Sequence, residues 1–286
     1  MKKSISLVLG SGGARGYAHI GVIEVLEKHG YEIKSISGSS MGALIGALYA
    51  CGKLEEYKKW VLNLDLFEVI KLIDFSFAKS GMIKGDKVFD VIANIIGDIK
   101  IQDLPISFTA VATDLTTQKE VWFQKGSLLD AIRASIAIPT IFTPIELGSR
   151  ILVDGGILNP LPTVPVLSDQ TDLTIAVNLN GDKVEKKSSK KDINSFEEKL
   201  TKFLEENFSM SLKKDKSINY FTIVSQTIET AQNLITRYEL AAHQPDLIID
   251  IPKNICDFYD FDEAKEIIEY GRETAQKRIA DFQKIE

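Results

Sequence analysis

The chain has 286 residues, 44% hydrophobic and 26% charged, a globular composition with enough length for one large α/β domain. Its 40 acidic and 34 basic residues are mixed along the chain, giving a formal charge of -6 and no stretch basic enough to grip a phosphate backbone, so no nucleic-acid partner is expected. The richest apolar run, Trp60 to Ala78, carries Asp65, Glu68, Lys71 and Asp74 and is unsuited to spanning a bilayer. Met1-Lys2-Lys3 before Ile5 to Leu9 mimics a secretory leader, but Gly10-Ser11-Gly12-Gly13 and Arg15 interrupt it, and the stretch reads as a first strand. Cys51 and Cys256 make no disulfide framework and fit two reduced thiols in a cytoplasmic protein, soluble or peripheral to a membrane.

In chain order, the strand at Ile5 to Leu9 leads through a glycine loop into a helix over Tyr17 to His29, where Ile20, Ile23 and Leu26 have helical spacing before Gly30. A second strand, Ile33 to Ile36, runs into Gly38-Ser39-Ser40-Met41-Gly42 and the apolar helix Ala43 to Ala50. Trp60 to Ala78 places Leu62, Leu66, Val69, Ile70, Ile73 and Phe77 at helical spacing, a core helix or the lining of an apolar site. Further strands are expected at Ile106 to Ala112, Val121 to Phe123, Ile151 to Val153, Thr174 to Val177 and Leu247 to Ile249. This alternation predicts a three-layer α/β/α fold with a mainly parallel sheet, and no boundary divides the chain into more than one domain over 1–286. The polar, lysine-rich run from Gly181 to Lys191 and the charged helical pattern around Phe196 to Phe208 read as a solvated excursion.

Three elements carry chemistry. Gly38 to Gly42 fits G-x-S-x-G between a strand and a helix, a turn that exposes the hydroxyl of Ser40 in front of a helix N-terminus. The loop Gly10-Ser11-Gly12-Gly13-Ala14-Arg15-Gly16 also joins strand to helix, and its N–H groups are placed to cradle an anion. A dinucleotide grip, with Glu32 at the ribose, fits poorly because Arg15 occupies the third glycine position; an oxyanion hole from Gly12, Gly13 and Ala14, with Arg15 adding charge or buttressing the loop, fits better. Asp154-Gly155-Gly156 follows the strand Ile151 to Val153, and parallel strands would bring Asp154 and Ser40 to the same sheet edge. His19 and His29 sit on the first helix in structural positions, whereas Ser40, Asp154 and His243 follow the Ser, Asp, His order of an α/β-hydrolase triad.

Together these elements resemble the patatin-like phospholipases, in particular short bacterial members consisting of little beyond the catalytic domain. The resemblance extends to Ser80-Gly81-Met82-Ile83-Lys84-Gly85, Ala112-Thr113-Asp114-Leu115, Arg133-Ala134-Ser135 with Ile138-Pro139, Asn159-Pro160-Leu161-Pro162 and Pro245-Asp246-Leu247. It is weakest over Gly181 to Asp215. The resemblance implies that Ser40 is the nucleophile and Asp154 the base of a dyad without histidine, with Gly12-Gly13-Ala14-Arg15-Gly16 as the oxyanion loop. It implies hydrolysis of a phospholipid, lysophospholipid or other fatty acyl ester, with peripheral membrane contact. Transfer of the acyl group to an alcohol, or lipid binding without turnover, are the alternatives. No cofactor or metal is implied, since the sequence has no EF-hand loop or H-E-x-x-H.

Overall fold

The computed structural model describes residues 2–72, 86–139, 142–184 and 220–284. Ile73, Phe77, the Ser80 to Gly85 stretch and the Phe196 to Phe208 pattern lie outside the described residues. The chain begins with β1 (Ser4–Leu9), a 3-10 turn over Gly13–Tyr17, α1 (Ala18–Lys28), β2 (Glu32–Ser39) and α2 (Met41–Ala50). It continues with α3 (Leu54–Val61), α4 (Leu66–Leu72), α5 (Asp86–Ile96), β3 (Ser107–Asp114), β4 (Lys119–Phe123) and α6 (Leu128–Ser135). β5 (Ile145–Leu147), β6 (Arg150–Asp154), β7 (Leu173–Gly181), α7 (Tyr220–Ala242), β8 (Leu247–Pro252) and α8 (Ala264–Gln283) complete the described elements.

Among the described residues the strands form one sheet in the order β5-β6-β3-β2-β1-β7-β8, with β4 also paired to β3. β1, β2, β3, β7 and β8 are parallel, whereas β4 and β6 run antiparallel to β3. Both faces are covered. Ile5, Leu7 and Leu9 of β1 share a core with α1, α2 and α8, while Val8 of β1 and Ala176 of β7 pack with Leu161, Val166 and Leu240 of α7. Apolar side chains on both faces explain why these strands read as continuous hydrophobic runs. α2 lies inside the core, with Ala43, Leu44, Ile45, Ala47 and Leu48 all buried, as its apolar sequence requires.

Two expectations are corrected. Trp60 to Ala78 is not one helix: α3 ends at Val61 and α4 begins at Leu66. The break is a reciprocal cap, in which Glu68 N–H donates to Asp65 Oδ1 at 2.8 Å and Asp65 N–H to Glu68 Oε2 at 3.4 Å, so the acidic residues that interrupt the hydrophobic pattern start a new helix. The second correction concerns Asp154, which ends an antiparallel strand rather than a parallel one. β4 occupies one edge of β3 from Ala110 to Asp114. On the other edge β2 is paired as far as Ser39 opposite Val111, and β6 takes over with Asp154 opposite Ala112. Because β2 is parallel and β6 antiparallel to β3, their C-terminal ends meet nose to nose on adjacent β3 residues.

Candidate active site

Ser40 follows β2 and precedes α2, with φ 55° and ψ −126°. This region is costly for a residue with a side chain and persists only where its surroundings enforce it. Neighbouring glycines make the bend sterically feasible: a Cβ on Gly38 would lie 2.5 Å from the Gly42 carbonyl, and one on Gly42 would collide with the carbonyl oxygen of Leu9. The Ser40 carbonyl accepts from Ala43 N–H at 2.9 Å and Leu44 N–H at 3.1 Å, opening α2, whose N-terminal end faces the serine.

Asp154 arrives from the opposite direction on β6. Ser40 Oγ donates to Asp154 Oδ2 at 2.5 Å, and the other carboxyl oxygen, Oδ1, accepts from Gly156 N–H at 2.7 Å. Ser40 is 2% exposed and Asp154 3%. Burial pushes the Asp154 carboxyl up from 3.8 to about 7, prevailing over the hydrogen bonds from Ser40 and Gly156 that favour its ionised form. The pair therefore combines direct contact with a carboxylate of unusual basicity.

The glycine loop is fastened on several sides. Gly10 N–H donates to the Val177 carbonyl at 3.0 Å, Ser11 N–H to Pro160 at 2.8 Å and Ala14 N–H to Phe258 at 2.9 Å. Ala14 is thus already engaged, whereas no backbone acceptor is recorded among the described residues for the N–H groups of Gly12 and Gly13. Arg15 is buried, and its Nη1 donates to Glu229 Oε1 of α7 at 3.0 Å and to the Lys253 carbonyl at 2.9 Å. Of the two roles open to Arg15 in the sequence, this geometry is that of a buttress. Gly16 closes the loop against Met41 at the start of α2.

The histidines take other positions. His19 is buried, and burial pushes it down to about 4, so a neutral ring donates from Nε2 to the Gly10 carbonyl at 2.8 Å. His29 Nε2 lies 3.0 Å from Gln276 Nε2 at the surface. His243 ends the turn after α7, its N–H bonded to the Glu239 carbonyl at 2.8 Å, and no recorded hydrogen bond joins it to Ser40 or Asp154. Among the described residues, no group of His, Cys, Asp and Glu is arranged to hold a metal ion.

Ser40 opens into an almost wholly apolar cavity lined by Met41 and Leu44 of α2, Tyr57 and Trp60 of α3, Leu64, Val69 and Leu72 around α4, Val88 of α5, and Ile136, Ile138 and Phe142 after α6. Trp60, Leu64, Val69 and Leu72 thus contribute to the lining, one of the two roles that the apolar spacing of Trp60 to Ala78 left open. Sequence reasoning missed three groups at the site. Ser135 Oγ accepts from Ser40 N–H, the Ala137 carbonyl accepts from Asp154 N–H, and Glu229 holds Arg15. Only Ser135 left a trace, in the Arg133-Ala134-Ser135 stretch; Glu229 lies 214 residues from its partner and has no local signature.

A mixed sheet with helices on both faces, carrying a glycine loop and a nucleophile elbow at its strand ends, is the architecture of the patatin-like hydrolases. The family model described as patatin-like phospholipase matches residues 7–167, and the chain belongs to that family. Uncharacterized NTE family proteins of Mycobacterium tuberculosis and Mycobacterium bovis are 36% identical to it, over 98% of this chain and 92% of theirs. Neuropathy target esterase sws of Drosophila sechellia is 31% identical over 56% of this chain and 11% of that protein. VipD from Legionella pneumophila shares the fold, with a TM-score of 0.50 at 13% identity over 98% of this chain and 67% of VipD. Membership of the patatin-like phospholipase family makes the chain a hydrolase of the esterase kind. No helix among the described residues is long and apolar enough to cross a membrane.

Proposed function

We propose that the chain hydrolyses fatty acyl esters of lipids, phospholipids or lysophospholipids foremost, through an acyl-serine intermediate formed by a Ser40–Asp154 dyad. The observation that carries this reading is the 2.5 Å contact between Ser40 Oγ and Asp154 Oδ2, with Ser40 in the lining of an apolar cavity. As Ser40 attacks the acyl carbonyl, Asp154 takes its proton, and the carboxyl's value of about 7 makes it a stronger base than an ordinary aspartate. The N–H groups of Gly12 and Gly13 receive the developing oxyanion on a loop held by Arg15. The leaving alcohol collects the proton from Asp154, and water, activated by the same carboxylate, releases the fatty acid. The acyl chain lies along Trp60, Leu64 and Val69. Exposed Leu62 and Phe67 beside that wall support delivery of substrate from a membrane surface.

The test combines a fluorophosphonate with lipid vesicles. The adduct is expected on Ser40, and Ser40→Ala is expected to lose both labelling and fatty-acid release while remaining folded. A folded Ser40→Ala protein with undiminished hydrolysis would refute the assignment. Labelling at Ser40 with ester formation on an added alcohol, and no fatty-acid release, would make the chain a transferase instead.

A further inference from the structure

Between the nucleophile and β3 stands a side chain that the dyad chemistry does not use. Ser135, the last residue of α6, is fully buried. Its Oγ accepts a hydrogen bond from Ser40 N–H at 3.0 Å and donates one to the Val111 carbonyl at 2.6 Å. Val111 is the β3 partner of Ser39, the last residue of β2. The hydroxyl therefore bridges an N–H and a C=O at the end of a parallel ladder, where continuation of β2 would bond such groups directly. Two residues later the Ala137 carbonyl accepts from Asp154 N–H at 3.0 Å. The end of α6 thus holds the backbone of both Ser40 and Asp154.

We propose that Ser135 is the positioning residue of the nucleophile elbow: its hydroxyl, inserted into the β2–β3 ladder, holds Ser40 off β3 in the conformation from which Oγ reaches Asp154. The proposal rests on the reading of Ser40 and Asp154 as a dyad. Its physical basis is the backbone of Ser40, at φ 55° and ψ −126°, which needs external constraint. A direct bond from Ser40 N–H to Val111 C=O would satisfy the same two groups while drawing the serine onto the sheet. The inserted hydroxyl satisfies both at a wider separation and removes the incentive for that collapse. Without it, two buried backbone groups are either unpaired or pair directly, and in each case Ser40 Oγ leaves its place beside the carboxylate.

Ser135→Ala and Ser135→Cys test the proposal. Cysteine has nearly the shape of serine but a weak donor and acceptor, so it separates hydrogen bonding from space filling. Rates are measured on a soluble nitrophenyl ester and as fluorophosphonate labelling of Ser40, below the unfolding temperature of each variant. Both variants are expected to lose about a hundredfold in kcat and in labelling rate, as for a reacting group displaced by about 1 Å, with KM changed less than about twofold. If the alanine variant does not fold, the cysteine variant carries the comparison. Wild-type kcat and labelling in Ser135→Cys, or a raised KM with unchanged kcat, would overturn the proposal. Absence of labelling at Ser40 in the wild-type protein would instead remove the dyad reading on which it rests.

Discussion

Asp154→Asn should abolish hydrolysis and stabilise the protein, with the gain depending on pH. Burial raises the Asp154 carboxyl from 3.8 to about 7. The folded chain therefore binds this proton more tightly than the unfolded chain, so the group's contribution to stability is greatest at low pH. It declines as pH rises through the interval between the unfolded and folded values, and the whole deficit is present above about pH 7. A tenfold change in proton affinity is worth about 1.4 kcal/mol, so moving the group from 3.8 to about 7 corresponds to roughly 4 kcal/mol. Asparagine's single amide oxygen keeps the acceptor for Gly156 N–H, while its NH2 group takes the place of Oδ2 and donates to Ser40 Oγ, and no charge is buried. Urea unfolding near pH 8.5 should find the variant more stable by as much as about 4 kcal/mol, with the gain shrinking toward pH 4. In the wild type, hydrolysis needs the ionised carboxylate, so kcat/KM should rise to a plateau above about pH 7. A stability difference that does not vary with pH, or wild-type hydrolysis that is flat from acid to neutral pH, would refute the reasoning.

Arg15→Ala, by releasing the oxyanion loop from Glu229 and Lys253, should lower kcat roughly tenfold to a thousandfold with little change in KM; steady-state kinetics on a soluble ester check this, and a change confined to KM would contradict it. Val69→Asp places a charge in the cavity wall and should depress turnover of long-chain esters more than of short ones, measured as a ratio across a chain-length series. His243→Ala should retain near-wild-type rates; a loss of thousands of fold in a folded protein would restore a histidine to the mechanism. His19→Ala leaves the buried Gly10 carbonyl without its side-chain donor and should destabilise the fold by about 1–3 kcal/mol by denaturant unfolding.

The parts of the site that depend on local chain geometry were readable from the sequence. The strand-to-helix context gave the two glycines around Ser40 their meaning as an elbow, and Asp154-Gly155-Gly156 after a short strand placed a carboxylate at a strand end. The direction of β6 was not readable, because alternation and apolarity are the same for a parallel and an antiparallel strand. β5 escaped because Ile145–Leu147 is short and interrupted by Glu146, and its pairing with β6 comes from the sheet rather than from its own residues. The Asp65–Glu68 cap was hidden by the apolar spacing that continues across it. Arg15 was assigned to the oxyanion loop, but its choice between charge and buttress depended on Glu229 and Lys253, supplied by remote parts of the fold.

If Ser40 and Asp154 act as the proposed dyad, the nose-to-nose meeting of β2 and β6 also governs when the chain becomes competent. Ser40 is separated from Asp154 by 114 positions, so a growing chain carries its nucleophile long before the base exists. When Asp154 has been made, it still needs the right pairing. A one-residue slip of β6 along β3 would turn its side chain to the opposite face of the sheet. On the proposed dyad, a partly synthesised or misregistered chain is therefore without hydrolytic activity, which arises only when the sheet has closed in the correct register.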